Sequence, residues 1–160
     1  MKNLQAVFWG RHMNRDLALA REFMQGDGRP LALDASPLQR ALKGEILQID
    51  AKRGCSVLAF EPGAEFVQGG GVIQGGIVAT MLDFALAFAT LVRLQPDASV
   101  GSVTLTVNFM RPALPGRVIA RGKIVRMGAR LVFAEADIGA EESDPIATAT
   151  SVIVVTPLKS

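Results

Sequence analysis

Cysteine and histidine are almost absent from these 160 residues: there is one of each, Cys55 and His12. A single thiol excludes an intramolecular disulfide framework and a multi-thiolate zinc site, so Cys55 is read as a core residue. A single imidazole excludes a His-x-x-x-His metal pair. Any Ser-His-Asp triad would have to draw on His12, which lies in no recognisable motif. Charge is sparse too. A formal charge of +2 carries no strong nucleic-acid field, even with a pI near 9.0. The basic residues are scattered, apart from a mild cluster between Arg111 and Arg130 that suits solvated strand faces better than a phosphorylated ligand. The opening, MKNLQAVFWGRHMNRD, lacks an apolar region followed by a cleavage site, which favours a cytoplasmic location.

What the chain does have is apolar residues, 49% hydrophobic against 20% charged. That balance fits one domain with a generous core or subunit interface. NRDLALAREFMQ (14–25) sets Leu17, Ala20, Phe23 and Met24 on one helical face, with Asn14 as its cap and Gly26-Asp27-Gly28 as its stop. SPLQRALK (36–43) adds a helical turn. GEILQID alternates, CSVLAFEP follows across Lys52-Arg53-Gly54, and the pair reads as two antiparallel strands. Gln95-Pro96-Asp97 is a break. SVTLTVNF (102–109) places Val103, Leu105, Val107 and Phe109 on one side and polar residues on the other, which makes it the clearest strand. RVIARGKIVR, LVFAEADIGA and IATATSVIVV follow, separated by LPGR, MGAR and the polar loop EESDP. The expected order is helix, two strands, one long apolar helix, then four strands in an antiparallel meander.

The long helix raises the question of function. From Ile77 to Val92 its only charged residue is Asp83. A helix with no polar face is wrapped by sheet. A membrane span is rejected, because about 20 apolar residues are needed and a central acid is costly. An ionised carboxylate in such surroundings costs several kcal/mol unless it is partnered or reaches solvent. Support by the helix dipole fades after the first turn, and Asp83 lies roughly two turns in. Two readings remain, a buried arginine partner or a working carboxylate facing a ligand cleft, and the second is preferred.

The glycines ahead of the helix have another role. Gly69-Gly70-Gly71 and Gly75-Gly76 let the backbone approach a ligand and leave helix N–H groups free for a phosphate or an oxyanion. No βαβ unit surrounds them, and no Gly-Lys-Ser/Thr follows, so neither nucleotide-binding fingerprint applies. Along a rigid helix, Gly75 and Asp83 stand roughly 12 Å apart. Both cannot touch one carbonyl, since catalytic contacts need about 3 Å. If both act on one substrate, they come from different subunits.

QGGGVIQGGIVATMLDFALAFA and SVTLTVNFMRPALPG, followed by the strand ending near RMGARL, resemble the hotdog-fold acyl-CoA thioesterases of the PaaI-like group. The resemblance covers about residues 40–156. It implies an α+β hotdog fold, a curved antiparallel sheet wrapped around one long central helix. Residues 1–160 are then a single hotdog domain, with 1–35 a helical extension and 40–156 the hotdog core. The implied activity is hydrolysis of an acyl-CoA thioester by a homodimer, often paired into a tetramer, with no metal and no cofactor beyond the coenzyme A of the substrate. No nucleic acid or membrane partner is expected.

The resemblance also implies roles. Asp83 is nucleophile or general base, the Gly75 amide polarises the thioester carbonyl, Gln68 assists, and Ser102 orients water. Gln74, Gly76, Phe84, Arg111 and Arg130 are the candidate substrate contacts; Arg111, Arg126 and Arg130 could meet the coenzyme A phosphates or be ordinary surface arginines, and Phe84 and Phe88 read first as core residues that at four-residue spacing could also line an acyl pocket. Gln74 stands where histidine is usual in the group and Gln68 where asparagine is common; glutamine hydrogen-bonds but carries no proton at neutral pH. Gln74 as a simple helix cap and Ser102 as an ordinary strand residue are the alternatives. Two other functions are open: a non-catalytic acyl-CoA-binding protein, and a hydratase or dehydratase, whose histidine base could only be His12, outside the matching region.

Overall fold

The computed structural model describes residues 14–95, 98–140 and 144–157. His12, Pro96-Asp97 and the Glu141–Ser143 part of the polar loop lie outside them. Helix α1, Arg15–Gln25, begins where the Asn14 side chain accepts from the Asp16 and Leu17 amides at 3.0 and 3.2 Å, the cap that the sequence predicts. Helix α2, Pro37–Ala41, starts with a capping box between Ser36 and Gln39. The fully buried Gln39 also donates to Asp16 at 2.7 Å and so ties α2 to α1.

Among the described residues the sheet has seven strands: β1 Leu31–Ala32, β2 Glu45–Asp50, β3 Cys55–Phe60, β4 Ala98–Phe109, β5 Val118–Met127, β6 Leu131–Gly139 and β7 Ala147–Pro157. Strands β2 and β3 form the expected tight antiparallel pair, turning at Gly54, whose φ of 67° suits glycine. Every pairing is antiparallel, and the spatial order is β1-β2-β3-β5-β6-β7-β4.

That order corrects the meander. β5, β6 and β7 are neighbours in sequence order, but β4 lies against β7 and β5 lies against β3. The reason is the connection after β4. Arg111-Pro112-Ala113-Leu114-Pro115 forms no hairpin, and neither of its prolines has an N–H to offer a ladder. It crosses the start of the central helix instead, where the Ala113 carbonyl accepts from the Ile73 amide at 2.7 Å. The short strand β1 and a 3₁₀ turn at Ala64–Phe66 carry no period long enough to be read from sequence.

Helix α3, Gly75–Leu91, is the expected central helix and packs against β3, β4, β5, β6 and β7. Met81, Leu82, Ala85, Leu86 and Phe88 are fully or almost fully buried. The sheet comes unusually close at one point. A Cβ on Gly122 of β5 would collide with the Ala85 carbonyl, and the buried Ser56 hydroxyl donates to that same oxygen at 2.8 Å. Helix and sheet are therefore held backbone to backbone. This is the hotdog arrangement that the resemblance implies.

Strand β4 is a sheet edge. Its register shifts between Ser102 and Thr104, a bulge. Of its apolar stripe, Val103 and Phe109 are 59% and 55% exposed. The clearest strand in the sequence thus leaves much of its apolar side uncovered within one chain.

Candidate active site

Three glycines precede α3, and their geometry is a turn. The Gln68 amide donates to the Val72 carbonyl at 2.8 Å, the Gly71 amide to the Gln68 carbonyl at 2.9 Å, and the Gly70 amide to Gln68 Oε1 at 2.7 Å. Gly71, with φ of 83°, adopts the left-handed conformation that such a turn needs. Fixing Oε1 in this way leaves the Gln68 side-chain NH₂ as the free donor end of its amide.

The chain then enters α3 through Gln74. Its carbonyl accepts from Ile77 and Val78, but its side chain makes no capping hydrogen bond. The helix therefore begins without a side-chain cap, with the amides of Gly75 and Gly76 in its first turn. Gln74 thus occupies the cap position without a side-chain capping bond. Gln68, Gln74, Gly75 and Arg111 line one cleft of about 440 Å³, together with the Phe109 ring. Four residues singled out from sequence thus come together.

Arg111 is engaged within its own chain. It pairs with the Asp144 carboxylate and donates to the Pro145 carbonyl at 3.2 Å. The amides of Met110 and Arg111 both reach the Ile146 carbonyl, at 2.9 and 3.1 Å. These bonds fasten the segment after β4 to the one before β7 and so build one wall of the cleft.

Asp83 lies elsewhere. It is half-buried on α3, and the Ser102 hydroxyl donates to its Oδ1 at 2.6 Å. No arginine pairs with it among the described residues. Asp83 does not line the cleft that holds Gly75. Two groups therefore form within one chain, a donor group at the helix start and a carboxylate–hydroxyl pair further along.

The other candidates sit apart. Phe84 is half-buried and stacks on Phe60, ring centroids 6.1 Å apart, while Phe88 is wholly buried. Gly76 is exposed beside the cleft, and its carbonyl accepts from the Thr80 hydroxyl. Arg126 and Arg130 are exposed near the β5–β6 hairpin, in neither group. Sequence reasoning missed two contributors, Phe109 and Asp144. In the sequence Phe109 reads only as part of an apolar strand face, and nothing in the pattern points to Asp144 as the partner of Arg111.

Residues 70–147, which contain the whole of α3 and β4, match the model of the Thioesterase superfamily. A candidate esterase of Saccharolobus solfataricus is 28% identical over 93 residues, which make up 57% of this chain and 64% of that protein. The match thus spans less than two thirds of that relative. The structure of a candidate thioesterase related to phenylacetic acid degradation, from Ralstonia eutropha, superposes with a TM-score of 0.74 at 23% identity, covering 85% of this chain and 98% of that one. The Escherichia coli PaaI protein, from the phenylacetic acid degradation operon, superposes with a TM-score of 0.72 at 16% identity, covering 92% and 99%. At such identities these two likenesses concern the fold.

Proposed function

We propose that this chain, which matches the Thioesterase superfamily model over residues 70–147 and shares the fold of the PaaI protein, hydrolyses an acyl-CoA thioester to a free acid and coenzyme A. The observation that carries this reading is Asp83, the one charged side chain on α3, held by the Ser102 hydroxyl at 2.6 Å. A carboxylate oriented through one oxygen keeps the other for chemistry. As general base it takes a proton from water while the oxygen of that water adds to the thioester carbonyl. The tetrahedral oxyanion accepts from the Gly75 N–H, then collapses; the C–S bond breaks, and the thiolate of coenzyme A takes up the proton. As nucleophile, Asp83 itself adds to the carbonyl, expels the thiolate and leaves a mixed anhydride that water opens.

The two groups act together when Gly75 comes from one subunit and Asp83 from its partner. Their separation on one rigid helix, roughly 12 Å, supports a shared site. The open β4 edge supports a homodimer, since a long edge with exposed Val103, Leu105 and Phe109 is a ready template for a second strand. A two-fold axis then generates two equivalent sites.

The test is thioester release over short, medium, aromatic and hydroxylated acyl-CoAs, run beside Asp83→Asn. Turnover of at least one substrate, abolished in the variant, is expected. Tight binding of acyl-CoA with no turnover of any would leave a binding protein instead.

A further inference from the structure

Why is residue 75 a glycine? Its backbone gives no reason, since Gly75 is absent from the residues with positive φ. Crowding gives none either. The three atoms nearest to a Cβ placed on Gly75 all belong to the Phe109 ring, at 3.4, 3.5 and 3.9 Å, which are ordinary van der Waals distances. An alanine would fit. What the glycine preserves is a gap about one carbon atom wide, between the first turn of α3 and an aromatic ring.

The ring is placed there by the sheet. Phe109 is the last residue of β4 and pairs with the small, fully buried Ala147 of β7. The ring lines the cleft with Gly75, Gln68 and Gln74, yet it remains 55% exposed.

We infer that Phe109 sets the acyl specificity of the site by admitting thioesters with an unbranched carbon beside the carbonyl and excluding those branched there. The inference rests on the proposed hydrolase reading. A carbonyl oxygen within about 3 Å of the Gly75 N–H brings its own α-carbon into the same gap. A CH₂ passes along the ring face; a second methyl on that carbon needs room that the ring occupies. Phe109 is thus a positioning residue, acting through the fit of the acyl group and not by proton transfer.

The experiment compares a straight acyl-CoA with its α-methyl isomer, built on the acyl chain that turns over best, in the full-length protein. The native protein should favour the straight isomer in kcat/KM by at least tenfold. Phe109→Ala should reduce that preference about tenfold by raising kcat/KM for the branched isomer, and Phe109→Leu should fall between. A thermal midpoint unchanged in Phe109→Leu separates this from a folding defect. An unchanged isomer ratio in both variants overturns the inference. Ketone analogues of the same two acyl-CoAs, in which CH₂ replaces sulfur, give the binding ratio independently of turnover. If no thioester is hydrolysed but the analogues discriminate and Phe109→Ala removes the discrimination, the gap is as inferred and the hydrolase reading fails. Equal binding of both analogues overturns the inference.

Discussion

The hydroxyl of Ser102 on β4 donates to Oδ1 of Asp83 on α3 at 2.6 Å, a polar bond between a sheet edge and a largely apolar helix. A hydrogen bond to an ionised acceptor contributes about 1.5–3 kcal/mol, so it holds the carboxylate in one orientation. Exchanging the acid for its amide keeps the shape and removes both basicity and nucleophilicity. Asp83→Asn should lower turnover at least about a hundredfold with the fold intact. Ser102→Ala keeps the acid but frees its rotation, and a loss of roughly tenfold in kcat is expected, with KM little changed. Steady-state kinetics beside circular dichroism check both. Near-native turnover in Asp83→Asn would remove Asp83 from the chemistry.

Gln74 has no capping bond to lose. Gln74→Ala should therefore leave the thermal midpoint unchanged, and any change in activity reports on contact with substrate. Gln68 differs, because its Oε1 accepts from Gly70 within the turn. Gln68→Ala should loosen that turn and reduce kcat more than it raises KM. Equal, negligible effects of both substitutions would make these residues bystanders.

The closest approach of helix and sheet gives a stability prediction. A methyl at Gly122 meets the Ala85 carbonyl, which belongs to a rigid backbone and cannot turn aside as a side chain could. Gly122→Ala should cost about 1–3 kcal/mol, the usual range for overpacking. Ser56→Ala removes only the hydrogen bond to that carbonyl, for about 1 kcal/mol. Urea unfolding at a fixed protein concentration, which holds any contribution of the proposed subunit association constant, should rank Gly122→Ala below Ser56→Ala. The reverse order would mean that the helix can slide away from β5.

Local features were legible in the sequence because local physics makes them. Asn14 caps α1, Ser36 opens α2, and period two marks β4. The all-apolar character of α3 announced a helix covered by sheet. Strand order was not legible, because whether β4 meets β5 or β7 depends on the path of residues 110–117, and LPGR in that stretch reads equally well as a hairpin turn or as part of a crossing connection. The site divided in the same way. Asp83 was visible as a lone acid and Gly75 as a helix start, both local signals. The ring of Phe109 beside Gly75 follows from β4 lying against β7 over the helix start, a long-range consequence that no spacing in the sequence records.

The shared site makes a prediction that a site within one chain cannot meet. Within a subunit Asp83 stays outside the cleft of Gly75, so under the proposed shared site each working site takes one residue from each chain. Take one protein carrying Asp83→Asn and another carrying Gly75→Leu, whose side chain overfills a gap bounded by the Phe109 ring at 3.4 Å. Each alone forms dimers in which both sites hold one defect, and both should be inactive. Exchange of equal amounts makes about half of the dimers mixed, by two-fold symmetry. In a mixed dimer one site collects both defects and the other has none. Activity should therefore return to roughly a quarter of the native value, rising with the mixed fraction seen by native mass spectrometry. Sites confined to single chains would stay dead however far exchange proceeds, and mixed dimers without activity would show that Gly75 and Asp83 never serve one thioester together.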